Sequence, residues 1–343
     1  MRLTNVVKFR NCLPHYFDGS LVVSSRNRLF RIRDLGNPRL EPIGKIPWRF
    51  SQQASRLRLA ERVLKNGITH VHPYAEDRHF IVTGKGWWSL GPDGSARPVQ
   101  QPSPTRPLSR GICSGSDGFS YISEYTRNPD RHAVHIWKTL DFETYAVAWE
   151  FPAGTIRHVH ALIQDPVKPR RMWVLTGDLD NESIIWTTDD SFASLDKYLS
   201  SGQISRATDL VFQNDNLLWG MDSPVETSYI LKHKHESGHM PERQFELPGP
   251  VYYAATNEAG GTYFGTTAEP GASVKDNFAH IFASSPGGEW QEIHKSKSDL
   301  LPQFGIIYFP RGLLPENWVI FSQRGTQPGE GYMTIARDIA WES

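Results

Sequence analysis

Four acidic residues stand at matching places along this chain, each closing a short apolar run: Ser123-Glu124, Gly177-Asp178, Met221-Asp222 and Ala268-Glu269. They recur at intervals of roughly 45 to 55 residues. Carboxyl groups brought together can divide acid–base work, since crowding or burial keeps one protonated while a nearby arginine keeps another ionised. Cleavage of a glycosidic bond uses such a pair, about 5–10 Å apart according to stereochemistry. Each acid has an alternative role as a structural partner for an arginine on a neighbouring element. Asp178, Asp222 and Glu269 are the candidate acid, base or nucleophile.

Arg110, Arg157 and Arg206 begin three consecutive apolar segments. Converging guanidinium groups can bind a carboxylate in bidentate fashion. Two His-x-His pairs, His70-Val71-His72 and His158-Val159-His160, put both imidazoles on one side of a strand, about 6.5 to 7 Å apart along it. His158 and His160 join the catalytic set as groups that orient substrate or relay a proton, with inert lining as the alternative. A metal at His70, His72, His158 and His160 is the lesser reading, because no thiolate or further histidine stands at a matching position, so no cofactor is expected. The substrate-binding set is Arg110, Arg157, Arg206, Glu124, Tyr125, Tyr253, His70, His72 and Arg324. Trp87, Trp88, Tyr125, Tyr252 and Tyr253 are the aromatic groups that could stack on sugar rings.

The elements that must position these residues are strands. An apolar-aromatic triplet recurs as Leu29-Phe30-Arg31-Ile32, Gly86-Trp87-Trp88, His135-Ile136-Trp137, Ile184-Ile185-Trp186, Tyr229-Ile230-Leu231 and His280-Ile281-Phe282. That spacing fits a four-stranded sheet repeated around a ring, and hence an all-β fold, a β-propeller. Units fall at about 15–45, 68–100, 107–151, 155–200, 204–248, 250–295 and 300–340. Seven blades are favoured and six is the alternative, because the first and last units are least regular. Leu3 to Phe9 is expected to pair with the last unit and close the ring, so that residues 1–343 form a single propeller domain. One segment, 51–66, has helical spacing of Leu57, Leu59, Ala60, Val63 and Leu64 among charges and reads as a surface helix.

In a propeller, inner strands start and second strands end on one face near the axis. The acids, arginines and histidines above occupy those two points in successive units, so they should meet there although distant in sequence.

After the triplets come stretches such as Thr188-Asp189-Asp190-Ser191-Phe192-Ala193-Ser194-Leu195, Thr139-Leu140-Asp141-Phe142-Glu143-Thr144-Tyr145 and Ser284-Ser285-Pro286-Gly287-Gly288-Glu289-Trp290. They resemble the Asp-box pattern Ser/Thr-x-Asp-x-Gly-x-Thr-Trp in degenerate form, and the chain is thus similar to the sialidase-like, Asp-box propeller superfamily. The resemblance implies a propeller whose boxes are structural turns. It also implies glycosidase, polysaccharide lyase or glycan-binding activity. Three arginines clamp a carboxylate in sialidases, but no FRIP-like arginine motif opens this chain, which favours an acidic sugar other than sialic acid. Gly-His and Trp-Asp pairing at blade spacing is absent, against a WD40 scaffold.

Basic and acidic residues balance at 37 each, against polyanion seeking through net charge, so no nucleic-acid partner is expected. Cys12 and Cys113 cannot build a disulfide framework. No apolar run is long enough for a membrane span, and no secretory leader is visible. The expectation is a soluble, cytoplasmic protein, with a mature secreted chain as the alternative. The expected function is cleavage of a glycosidic bond in an acidic oligo- or polysaccharide by a sialidase-like hydrolase. The alternatives are a polysaccharide lyase acting on uronic acids by β-elimination, and a non-catalytic propeller that binds glycan or protein.

Overall fold

Successive residues of a strand leave on opposite faces, and the second strands of this chain are apolar on both. Met172–Gly177 is buried along its whole length. Its Met172 and Val174 share a core with Tyr121 and Ile136 of the unit before. Its Trp173 and Leu175 share another with Leu217 and Trp219 of the unit after. A sheet with two apolar faces must be covered on both, and a closed ring of sheets achieves that for every member.

The structure, a computed structural model, describes residues 3–47, 67–213, 215–235, 238–299, 301 and 303–337. It contains seven sheets in a propeller arrangement, each with an antiparallel four-stranded blade. Blade 1 comprises Cys12–Phe17, Leu21–Ser25, Arg28–Ile32 and Glu41–Lys45, from axis to rim. Blade 2 comprises Ile68–Ala75, Arg78–Thr83, Gly86–Leu90 and Ala96–Val99. Blade 3 has Ile112–Ser114, Ser120–Ser123, Val134–Thr139 and Ala146–Phe151, and blade 4 has His158–Gln164, Met172–Gly177, Ile184–Thr188 and Asp196–Leu199. Blade 5 has Val211–Gln213, Asn216–Gly220, Tyr229–Lys234 and Glu242–Glu246. Blade 6 has Val251–Asn257, Thr262–Thr266, Phe278–Ser284 and Gln291–Ser298, extended at its two edges by Leu313–Leu314 and Thr326–Gln327.

Blade 7 joins the two ends of the chain. Ile306–Tyr308, Trp318–Arg324 and Tyr332–Arg337 are its first three strands, and Thr4–Arg10 pairs antiparallel with Tyr332–Arg337 as the fourth. This closure removes an exposed sheet edge, and it is why the last unit looks irregular in sequence. All six triplets lie on third strands, as their spacing requires. The helix expected at 51–66 lies outside the described residues. Among the described residues, no helix is long and apolar enough to cross a membrane.

The turns after the third strands of blades 3 and 4, at 139–145 and 188–195, wedge neighbouring blades together. Asp190 accepts from the Ser194 backbone N–H at 3.0 Å and from the Thr188 hydroxyl at 2.8 Å. Asp141 accepts from the backbone N–H groups of Glu143 and Thr144 at 2.8 and 2.9 Å. Asp189 instead pairs with Arg171. Where the pattern has glycine, Phe142 and Phe192 adopt left-handed φ values of 58° and 71°. That conformation costs about 1–2 kcal/mol for a residue with a Cβ. It aims Phe142 into blade 2, where its ring stacks on Phe80 at 4.1 Å, and Phe192 against Tyr121 of blade 3 at 5.0 Å. Burying an aromatic ring outweighs the backbone cost. Phe142→Ala should therefore lower unfolding stability by about 3–5 kcal/mol, whereas Leu140→Ala, at 61% exposure on the same turn, should change it by under about 0.5 kcal/mol. Equal effects in denaturant unfolding would refute the wedge.

Candidate functional site

Inner-strand starts and second-strand ends of blades 2 to 7 surround a cavity of about 580 Å³ on one face of the ring. Eleven residues expected from sequence line it: His70, Arg110, Tyr125, Arg157, His158, His160, Asp178, Arg206, Asp222, Tyr253 and Glu269. Arg106, Thr208 and Tyr308, which sequence reasoning did not single out, share the wall with Arg127 and Tyr252.

The geometry around Asp178 depends on a bulge. Blade 4 pairs Val159 with Thr176 but Ala161 with Leu175, leaving His160 as an extra residue without a cross-strand partner. A bulge re-aims the side chain it carries. Here it tips the His160 ring toward His158, so that their Nε2 atoms lie 3.1 Å apart, far closer than a regular strand allows. Gly177 makes the room, because a Cβ there would lie 2.7 Å from Cε1 of His160. His158 Nδ1 donates to the Thr126 carbonyl at 2.9 Å and His160 Nδ1 to the Ala207 carbonyl at 3.1 Å. The Tyr125 ring packs on His158 at 4.2 Å.

Asp178 is surrounded by partners. Arg157 Nη1 donates to Oδ2 at 2.7 Å, and Arg206 Nη2 lies 3.2 Å from Oδ1. The Nε2 atoms of His160 and His158 lie 3.3 and 3.6 Å from that same Oδ1. Burial alone would push this carboxyl up, but its contacts with His158 and His160 prevail and hold it well below the usual range. Burial dominates His160 in the opposite sense and lowers it.

Asp222 has the contrary environment. It is buried, and its one partner is Arg206, whose Nε donates to Oδ2 at 3.3 Å. Burial raises its pKa to about 8; Arg206 works against that, while the charges of Glu269 and Asp178 add to it. Oδ1 has no hydrogen-bond partner, leaving it able to carry a proton toward the cavity. Glu269 completes the acid group and accepts from the Tyr252 hydroxyl at 2.7 Å. One guanidinium thus joins a carboxyl held ionised to one that is protonated at neutral pH.

Other expected residues have different duties. Glu124 turns back into blade 3, accepting from Trp137 Nε1 at 3.0 Å and from the His135 backbone N–H at 2.9 Å. His72 is buried below the cavity beside Ser114 Oγ, at 3.0 Å. Arg110 reaches across the axis, where Nε donates to Asp209 at 2.7 Å and Nη2 to the Ala254 carbonyl at 2.9 Å, contacts that hold blades 3, 5 and 6 together, while its buried Nη1 has no hydrogen-bond partner. Arg206 and Arg157 are likewise engaged with the acids. Trp87 is core between blades 2 and 3, and Trp88 packs against the core between blades 1 and 2.

Arg324 lines an adjoining cavity of about 480 Å³ with Arg10, Arg26 and Glu330. The two cavities share His70, Arg106, Leu108, Tyr253 and Tyr308, and so form two lobes of one cleft. Among the described residues no carboxylate pairs with Arg10, Arg26, Arg106, Arg127 or Arg324. Burial with Arg311, Arg106 and Arg324 nearby lowers His70, between the lobes, to about 3.

No protein-family profile and no curated protein matches this sequence. Solved structures resemble it across nearly its whole length. A streptogramin B lyase aligns with a TM-score of 0.57 at 12% identity, covering 97% of this chain and 98% of the other. YCF48 bound to a D1 peptide aligns with a TM-score of 0.59 at 11% identity, covering 99% of each chain. Raptor of Chaetomium thermophilum aligns with a TM-score of 0.56 at 13% identity, covering 98% of this chain and 29% of that one. At such identities the likeness shows the propeller fold alone.

Asp222 makes folding pH-dependent in a definite direction. Its folded pKa of about 8 exceeds the value of about 4 of an unfolded carboxyl. Its contribution is complete below the lower value and is lost as pH rises through the upper one. Asp222→Asn, which cannot ionise, should gain a few kcal/mol relative to wild type between about pH 5 and 9 in urea unfolding. A difference independent of pH would contradict the assignment.

Proposed function

We propose that this propeller is an acid–base enzyme that cleaves a glycosidic bond in an acidic oligo- or polysaccharide laid across the two-lobed cleft. The observation that carries the reading is Asp222: a carboxyl raised to about 8, with Oδ1 unpartnered, in the wall of an open cavity. A buried acid of this kind can protonate a leaving oxygen at neutral pH. Glu269, on the adjacent blade and oriented by the Tyr252 hydroxyl, acts as the base or nucleophile. Asp178 positions these groups, since Arg157, Arg206 and the two histidines already surround it.

Arginines with no carboxylate partner among the described residues support an anionic substrate. Arg106 and Arg127 flank the acids, and Arg10, Arg26 and Arg324 continue along the second lobe. They replace the expected clamp of Arg157 and Arg206, with Arg110 beside them, whose guanidinium groups pair with Asp178, Asp222 and Asp209. The Tyr125, Tyr252, Tyr253 and Tyr308 rings provide stacking surface on the same wall. A purely structural or non-catalytic ring would have its acids closed off in salt bridges, and Asp222 Oδ1 is not.

A second reading, β-elimination from a uronic acid, is favoured by the histidine pair. His158 and His160 line the cavity and donate through Nδ1 to carbonyls, which leaves on each Nε2, beside Asp178, the lone pair that a base needs. Screening uronate-containing oligosaccharides for reducing ends and ultraviolet absorbance separates the two, because elimination leaves a conjugated double bond. Hydrolysis should release reducing ends without absorbance, with activity falling above about pH 8 as Asp222 ionises. Asp222→Asn and Glu269→Gln should each lower kcat by about 10²–10⁴-fold. Full activity in both variants would defeat the proposal, and absorbance accompanying every cut would transfer it to elimination.

A further inference from the structure

His158, His160 and Asp178 pose a problem of hydrogen-bond accounting that the proposed reaction leaves unsolved. A backbone carbonyl can only accept, so the contacts to Thr126 and Ala207 place a proton on Nδ1 of each imidazole. In the neutral rings both Nε2 atoms are then bare lone pairs. Yet they face one another at 3.1 Å, and both face Asp178 Oδ1, at 3.6 and 3.3 Å. None of the three atoms carries a proton when both rings are neutral; Arg206 Nη2, 3.2 Å from Oδ1, serves that oxygen, and a further cation would satisfy the two facing nitrogens.

The spacing identifies what kind of cation. Tetrahedral bonds of about 2.0–2.1 Å to nitrogen and oxygen separate neighbouring ligand atoms by about 3.3–3.4 Å. The three measured separations, 3.1, 3.3 and 3.6 Å, bracket that value. Histidines that ligate metals commonly donate their other ring N–H to a carbonyl, which fixes the tautomer and ring plane, and both histidines here do so. The ring positions are themselves built in: the bulge at His160 and the missing Cβ at Gly177 bring the two Nε2 atoms together.

We infer that His158 Nε2, His160 Nε2 and Asp178 Oδ1 form a binding site for a first-row divalent metal ion, Zn²⁺ or a close relative. Two imidazoles and a carboxylate suit such ions better than Mg²⁺ or Ca²⁺, which prefer oxygen. All three ligands line the cavity, so the fourth coordination position opens to it. There an oxygen of water or of a bound ligand completes the set, the arrangement of catalytic rather than closed structural sites. Arg157 occupies Asp178 Oδ2 and Arg206 approaches Oδ1, so affinity should fall short of that of thiolate-rich sites. The inference is independent of the glycosidic reading, since it rests on the ligand atoms alone.

The test is metal uptake by the full chain, freed of any affinity tag, stripped with chelator and dialysed against Zn²⁺ or Co²⁺ near neutral pH. One ion per chain is expected, with a rise in melting temperature that chelator reverses. Losing groups that merely orient ligands costs about 10–100-fold in affinity, so losing a ligand in His158→Gln or His160→Gln should exceed that. Far-UV circular dichroism confirms that each variant is folded. Gly177→Ala, which crowds His160 without removing a ligand, should also weaken uptake. The Co²⁺-loaded wild type decides the matter without any variant: intense visible bands of a four-coordinate ion support the site, and the pale spectrum of a six-coordinate one overturns it. No uptake by wild type, or undiminished uptake by a folded His158→Gln/His160→Gln double variant, also overturns it and leaves a proton as the shared cation.

Discussion

Closing seven sheets into a ring crowds the starts of the inner strands around an axis, and any charge placed there must find its partner across the ring. The Arg110–Asp209 pair meets this requirement at 2.7 Å with both side chains under 10% exposed. Arg311 meets it differently: it reaches from blade 7 to the carbonyls of Val71 and Ile112, each at 2.7 Å. Leaving either guanidinium unpaired at such depth would cost several kcal/mol. The same contacts therefore tie blades 2, 3, 5, 6 and 7 together at the axis, at the floor of the cavity.

On that floor the chain separates two carboxyl groups with a single arginine. Arg206 touches Asp178 and Asp222 alike, so its charge alone cannot make them differ. Their other neighbours do. Asp178 adds Arg157 and two imidazoles, whereas Asp222 adds burial and the repulsion of Glu269 and Asp178. The difference begins in the backbone, because without the bulge at His160 the second imidazole would stand a full strand repeat from the first. Blade 6 repeats the device at Tyr252, which is skipped between Val251 and Tyr253 in the pairing and reaches Glu269. Two of the inner-strand register shifts, at His160 and Tyr252, thus place the side chains that contact Asp178 and Glu269.

The fold was legible because burial on both faces of the second strands and the aromatic triplets of the third leave a period that survives sequence drift. Pairing of Thr4–Arg10 with the last blade followed from the need to cover an edge. Within the site, Asp178, Asp222, Glu269, His158 and His160 could be read from their places at strand ends. The bulges could not, since nothing in His158-Val159-His160 distinguishes it from His70-Val71-His72. One pair meets at 3.1 Å, while the other divides, His70 toward the cleft and His72 toward Ser114. Arginines were equally ambiguous. Arg110 begins an inner strand and points across the axis, whereas Arg106, four residues earlier, is exposed at the mouth. Only the closed ring decides which guanidinium is satisfied internally.

That division of labour bears on what the cleft is for. If the site existed only to hold the ring together, cations and anions would pair throughout, as they do at Arg110 and Arg157. Instead the interior acids have partners and, among the described residues, the outer arginines have no carboxylate, so positive potential is presented outward over a floor that holds a protonated carboxyl. An anion entering the cleft would meet Arg106, Arg127 or Arg324 first, and its hydration would be replaced by fixed donors as it approached Asp222. A module that only bound anions would gain nothing from Asp222, whose burial destabilises the fold at any pH where it ionises. On the proposed reading its proton is used, and that use would link the arginine-lined cleft to chemistry on the ligand it collects.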